Sequence, residues 1–304
     1  MKSITHKSVT WHHFEENDQK TVKYLDEKFD FHPLDIEDVE SGPQQPKTDF
    51  YKNYLFAVLH FPNYNKEEKR IHVFELDVFV GDDYVITVAK GENHRLLDIY
   101  DQMTNDGEFK EEIMGKSAGF FFYKIIDELT DSCWPVVRRI STQMSDIEDE
   151  IYSEDTSTGT VWRIALTRRN LIRLRRILNP QIVVMASLVH ADKSYLKKSL
   201  SVYFDDIQDT LNRLQSITLG NVEVMNTLHN VNESLISQRT NQVIKLLTVI
   251  SVSLLPMTLL TGFYGMNVAG LPFVDKPNAV WLIFGVLLLM VAVFLAIFRK
   301  RDWI

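Results

Sequence analysis

Residues 241–267 read NQVIKLLTVISVSLLPMTLLTGFYGMN, and this stretch decides the fold. No charged residue falls between Leu246 and Phe263. A bilayer core asks for about 20 mostly apolar residues in a spanning helix, so the stretch is predicted to cross a membrane. Asn241, Ile244, Leu247 or Thr248, Ser251, Leu255, Thr258 and Gly262 recur at steps of three or four and share one helical stripe. A polar stripe in a membrane helix lines either a water-filled path or a contact between helices, and the stripe alone does not choose. Pro256 is equally open, because neighbours can satisfy the carbonyl that a proline frees.

Residues 279–298 form a second apolar run without a charge, ending in Arg299-Lys300-Arg301. That basic end, with Lys245 at the base of the first span, places both termini in the cytoplasm and only the loop 265–278 outside. Upstream, residues 193–241 continue without proline into the first span. Leu211, Leu214, Val222, Met225, Leu228, Val231 and Leu235 are spaced mostly three or four apart. One helix of about seventy residues, roughly 100 Å long at 1.5 Å per residue, is therefore expected to run from cytoplasm into membrane.

The N-terminal part reads as mixed strands and helices. A strand is expected at 9–14 and a helix from Asn17-Asp18 to about Phe29. Pro33 opens a short acidic helix carrying Asp35, Glu37 and Asp38. Strands follow at 54–61, 70–80 and 83–89, the last two joined by Gly81-Asp82-Asp83. From Ser117 strand signals stop, and long helices to about 153 and over 160–189 form an antiparallel pair, with Pro135 and Pro180 expected to kink or interrupt them. The division is an α/β domain over 1–115, a helical region with the stalk over 116–242, a first span over 243–264, an outer loop over 265–278, a second span over 279–298 and a basic tail over 299–304.

Net charge is −8 over 304 residues. Residues 243–304 carry +3, which leaves −11 on the first 242, a balance that argues against a nucleic-acid partner and suits a body that meets cations. Cys133 is the single cysteine, so no intramolecular disulfide and no cysteine metal site is expected. The N-terminus lacks the apolar run of a secretory signal. No phosphate-binding glycine loop or nucleophile constellation supports an enzyme or an ATP-driven pump. Arg163, Arg168, Arg169, Arg173, Arg175 and Arg176 are expected to pair within or between subunits rather than with RNA or lipid, and the histidines, His12-His13 included, have no ligand spacing.

Tyr264-Gly265-Met266-Asn267, at the outer end of the penultimate span and followed by a short loop and one last span, resembles the signature of the CorA family of divalent-cation channels. HPLDIEDV at 32–39, the following QQPKTDFYKNYLFAVL, LRRILNP at 174–180 and YFDDIQD at 203–209 match the family pattern in order, so the resemblance covers the chain from about residue 10 to its end. It implies an α+β cytoplasmic domain followed by long stalk helices and two transmembrane helices, assembled as a funnel-shaped homopentamer in the cell membrane. It implies that Gly265, Met266 and Asn267 form the outer ion site. It further implies that Asn241, Thr258 and Gly262 line the pore, that Ile244, Leu247 and Leu255 form a hydrophobic gate, and that Glu37, Asp38 and Asp206 hold regulatory Mg2+ between subunits.

Those roles are chemically sensible. Mg2+ dehydrates reluctantly, so neutral amide oxygens recognise its bound waters without stripping them. A narrow apolar ring gates by dewetting. Facing carboxylates repel unless a cation bridges them. The plain alternatives are helix capping by Gly265 and Asn267, interhelical packing by the gate residues, and a solvated helix face for Glu37 and Asp38.

The expected function is passive Mg2+ uptake, with Co2+ or Ni2+ as further cargo, regulated by internal Mg2+ and needing no organic cofactor. Its partners are other copies of the chain, the lipid bilayer and divalent cations. A zinc-transporting branch and a non-conducting ion sensor or scaffold are the alternatives. Many relatives carry Met-Pro-Glu-Leu after the tripeptide, whereas this chain has Leu271-Pro272-Phe273-Val274 and then Asp275 beside Lys276, so no acidic ring is expected at the mouth.

Overall fold

Backbone pairing and burial in the computed structural model, which describes residues 1–91, 93–153, 158–268, 271–272 and 278–301, build the first unit around one mixed sheet. Its strands are β1 (Lys2–His6), β2 (Val9–Phe14), β3 (Lys47–Phe50), β4 (Leu55–Asn65), β5 (Arg70–Val80) and β6 (Tyr84–Lys90). Their spatial order is β1-β2-β6-β5-β4-β3, antiparallel throughout except for the parallel pair β2 and β6. β4 and β5 are apolar in near-continuous runs because helices cover both faces. Pro62 is tolerated in β4 because β3 pairs only with Leu55 to Val58, leaving that edge free farther along.

One face is covered by α1 (Gln19–Lys28) and α2 (Pro33–Glu40), where Phe14, Leu25, Phe31, Val39, Phe56, Phe79 and Val88 form a buried cluster. Phe31 stacks on Phe79 with ring centroids 4.1 Å apart, and each such buried ring stabilises the unit by roughly 1.5–3 kcal/mol. Asp18 caps α1, its Oδ1 accepting from Thr21 N at 2.8 Å. After β6 come α3 (His94–Asn105) and α4 (Gly107–Met114), then α5 (Ala118–Asp131), α6 (Cys133–Tyr152) and α7 (Thr158–Val189). Trp11 of β2, fully buried, meets Phe121 of α5 edge-on at 5.3 Å on the second face of the sheet.

The helical expectations carry small corrections. Pro135 marks an interruption as expected: α5 ends at Asp131 and α6 restarts at Cys133, so the break lies one turn before the proline, whose missing N–H then falls in the first turn of α6. Pro180 lies inside α7, which continues through it. α6 and α7 pair side by side, Glu150 accepting from Thr160 and Arg163, while residues 154–157 of their expected junction lie outside the described residues. β1, β3, α3 and α4 are additions to the sequence reading.

A short 3-10 turn at Lys198–Leu200 leads into α8 (Ser201–Tyr264), 64 residues without a break and about 96 Å long at 1.5 Å per residue. α9 (Ala279–Lys300) follows. By length and composition both helices can cross a membrane. Two compact units result, Met1–His229 and Asn230–Ile304, with α8 contributing to each.

A charged cluster lies in the α1/α2 face of the sheet. Lys90 Nζ sits 2.8 Å from Glu75 Oε1 and 3.0 Å from Asp77 Oδ2, and donates to the backbone carbonyl of Asp38 at 2.8 Å. Glu75 also accepts from Gln44 N at 2.9 Å and meets His60 Nε2 at 3.0 Å. Burial opposes the charge on Glu75, but His60 and Lys90 outweigh it and hold the carboxyl below its usual range. Asp77 has no such shell. Neither of its oxygens makes a well-aligned hydrogen bond, and burial pushes its pKa up to about 7. Between the ordinary carboxylate value of about 4 and that value, the folded chain keeps a proton that the unfolded chain has released, so this group's contribution to stability falls as pH rises. Asp77→Asn is therefore expected to stabilise the chain by roughly 1–3 kcal/mol at pH 8, with the gain closing towards pH 4. Thermal unfolding of the detergent-solubilised protein across that range checks it, and a destabilised variant at pH 8 contradicts it.

Candidate functional site

The upper half of α8 has two distinct sides. Leu260, Thr261 and Tyr264 line an apolar groove of about 600 Å3 with Val280, Trp281, Ile283, Phe284 and Leu287 of α9. At 100° per residue, Ser251, Leu255, Thr258 and Gly262 point to the opposite side of α8. The stripe therefore turns away from the chain's own second span. Ile244, Leu247 and Leu255 are 54 %, 63 % and 65 % exposed, so nothing within one chain packs on the candidate gate.

Two of the stripe's hydroxyls are already committed as donors. Thr258 Oγ1 donates to Leu254 O at 3.1 Å and Thr248 Oγ1 to Ile244 O at 2.7 Å. Their remaining lone pairs face outward as acceptors, the polarity that suits water molecules carried by a cation. Asn241 sits lower, in a polar concavity of about 860 Å3 shared with Asn230, Ser234 and Ser237. These three extend the stripe by one more set of three- and four-residue steps, a spacing visible in the sequence but missed there.

At the outer end Gly265 N donates to Thr261 O at 2.9 Å, closing the helix. A Cβ on Gly265 would stand 2.8 Å from that same carbonyl, so only glycine fits. Gly262 meets nothing within 4 Å at the equivalent position. Met266 and Asn267 are exposed just past the helix end, leaving the Asn267 amide open to solvent. The residues of the divergent loop, Phe273, Val274, Asp275 and Lys276, lie outside the described residues, as does the tail beyond Arg301.

The proposed regulatory carboxylates sit on α2 and α8. α2 is fixed at both ends. Asp35, buried at its start, accepts from Tyr54 Oη at 2.8 Å and Tyr51 Oη at 3.0 Å, and Tyr54 Oη accepts from His32 N at 2.7 Å. Desolvation raises the Asp35 carboxyl despite those donors. At the other end Lys90 holds the carbonyl of Asp38, and Asn17 Nδ2 donates to Val39 O at 3.0 Å. Glu37 is thus presented to solvent and Asp38 at a half-buried rim.

Asp206 is exposed near the start of α8. Its charge helps to raise Asp131 on α5, where burial and then Glu128 act more strongly, and Asp127 nearby is raised mainly by burial. The acidic surface at Asp206 thus includes Asp127, Glu128 and Asp131, which the sequence reading passed over because they are neighbours only across α5 and α8. Among the described residues no three acidic, histidine or cysteine groups gather as a metal cluster, so Glu37, Asp38 and Asp206 do not close a site within one chain.

The arginine run divides. Arg163 pairs with Glu150, and Arg173 donates to Ile71 O at 2.7 Å. Arg168, Arg169, Arg175 and Arg176 are exposed. His13 is buried with its Nδ1 2.9 Å from Thr87 Oγ1, and burial lowers its pKa to about 4, a packing role.

A family model described as CorA-like Mg2+ transporter protein matches residues 6–300. The cobalt/magnesium transport protein CorA of Thermotoga maritima is 26 % identical over 284 residues, covering 93 % of this chain and 80 % of that protein. The complete structure of the CorA magnesium transporter from Methanocaldococcus jannaschii superposes with a TM-score of 0.81 at 18 % identity, covering 100 % of this chain and 95 % of that one. The full-length CmaX protein gives a TM-score of 0.78 at 22 % identity, covering 97 % and 89 %.

The clamp on α2 is open to direct measurement. Tyr54→Phe removes the donor to Asp35 and the acceptor for His32 N, and is expected to destabilise the first unit by about 1–3 kcal/mol. Unchanged thermal unfolding would show that α2 is held by other contacts.

Proposed function

This chain belongs to the CorA-like Mg2+ transporter family, and from that premise we propose that it assembles as a homopentameric channel that carries Mg2+ into the cell, with both termini in the cytoplasm. The coarser statement, a membrane-bound divalent-cation transporter, follows from the family itself. One observation carries the finer reading. The polar stripe of α8 faces away from α9 and ends at Gly265-Met266-Asn267, so one chain supplies a wall without the rest of the pore. Copies around a common axis complete it.

In that assembly Asn267 amides meet the hydrated ion at the mouth, with Gly265 and Met266 shaping the ring. Thr258, Gly262 and Asn241 line the path, and their acceptors take hydrogen bonds from the ion's waters. Ile244, Leu247 and Leu255 close it by dewetting. The membrane potential drives the ion: a divalent cation gains roughly 4.6 kcal/mol per 100 mV on entering a negative interior. No catalytic step or organic cofactor is involved, and Co2+ or Ni2+ are further cargo.

Internal Mg2+ regulates the path at subunit contacts, where Glu37 and Asp38 of one copy meet Asp206 of the next. Bound ions neutralise these carboxylates and hold the ring closed, and their loss lets repulsion loosen it.

Reconstitution into vesicles with a magnesium-sensitive dye tests the whole reading. Potential-driven entry is expected, and its absence at every internal Mg2+ level would leave an ion sensor instead. Competition by Co2+, Ni2+ and Zn2+ in the same assay ranks the cargo and separates the magnesium reading from a zinc carrier. Asn267→Ala is expected to abolish entry while the oligomer persists by size-exclusion chromatography, and undiminished flux would displace the outer site. Asp206→Lys is expected to shift inhibition to higher internal Mg2+, with an unchanged curve removing Asp206 from regulation.

A further inference from the structure

Asp38 already holds a cation. The Lys47 ammonium lies 2.6 Å from Asp38 Oδ2 and 2.8 Å from Asp49 Oδ2, bridging the end of α2 to the edge strand β3. The side chain of Asp38 is 19 % exposed and that of Lys47 38 %, so solvent and dissolved ions reach the pair from one side.

The backbones on both sides are fixed. Asp38 is anchored through its carbonyl to Lys90. Lys47 is paired in register with Val58 of β4, and the next residue, Thr48, contacts Ser187 of α7 through their hydroxyls at 2.7 Å. The Lys47 ammonium is also 5.5 Å from the centre of the Phe56 ring.

A divalent ion approaching Asp38 meets a carboxylate with one oxygen taken and a positive charge beside it. Releasing the lysine does not strand it, since Asp49 already accepts from the same ammonium. We propose that Lys47 is a built-in counter-cation of the Asp38 regulatory site, displaced towards Asp49 when a divalent ion binds, so that it sets the internal concentration at which the site fills. This rests on the regulatory reading of Asp38 given above. A competitor tied to the protein weakens apparent affinity by the strength of its own pair, and for a partly exposed ion pair that is about 1.5-fold to fivefold.

The test uses the full-length oligomer in vesicles, with flux inhibition read against internal Mg2+. Lys47→Met is expected to shift the inhibition midpoint about 1.5-fold to fivefold lower, while Lys47→Arg, which keeps the pair, stays near the parent curve. Lys52→Met removes the same charge from an exposed position nearby and is expected to leave the midpoint unmoved. Asp38→Asn raises the midpoint, and adding Lys47→Met to it produces no further shift. If Asp38→Asn moves the curve but Lys47→Met does not, or if Lys47→Met still acts without the Asp38 carboxylate, the counter-cation role is overturned while the regulatory site stands. If Asp38→Asn itself changes nothing, the regulatory reading falls and this inference with it.

Discussion

A helix that begins in water and ends in hydrocarbon must satisfy its own backbone for its entire length. In the bilayer no solvent is available to accept an unpaired N–H, so the ladder of α8 cannot stop between Ser201 and Tyr264 without cost. Everything else depends on that continuity. Along one helix run the carboxylate Asp206, the amide and hydroxyl steps from Asn230 to Asn241 and the apolar residues Ile244, Leu247 and Leu255, with Gly265-Met266-Asn267 just past its end. The acidic surface at Asp206 and the polar stripe therefore belong to one continuous helix.

The sheet serves this helix by fixing α2. Aromatic packing on one face holds the helix down, two tyrosine hydroxyls secure its start through Asp35, and Lys90 secures its end through a carbonyl. The same lysine neutralises Glu75 and lies beside Asp77, so fixing α2 and burying charge are one problem with one solution. Asp38 emerges from that framework with its carboxylate on Lys47, which gives a half-buried acid a partner.

Much of the fold was legible because its signals are local. The Pro33 helix start, the Asp18 cap and the three long apolar strands appear where the residues place them. The two strands that escaped reading, KSITH and KTDF, are the edges of the sheet, short and polar because one side of each has no strand partner. α3 carried a readable signal in Leu96, Ile99 and Met103, three buried residues at helical spacing. Pro135 was readable as an interruption because its effect is local: it frees the carbonyl four residues back, and the run breaks between Asp131 and Cys133.

The sequence by itself determined that two segments enter a membrane, that the first bears a polar stripe, and that its outer end carries Gly-Met-Asn, because hydropathy and helical period are properties of consecutive residues. It could not determine which way the stripe faces, since that depends on where α9 packs around α8. Nor could it place Asp206 where its charge acts on Asp131, or Lys47 on Asp38. Those pairings join residues far apart in the chain, which only helix packing and strand register bring together.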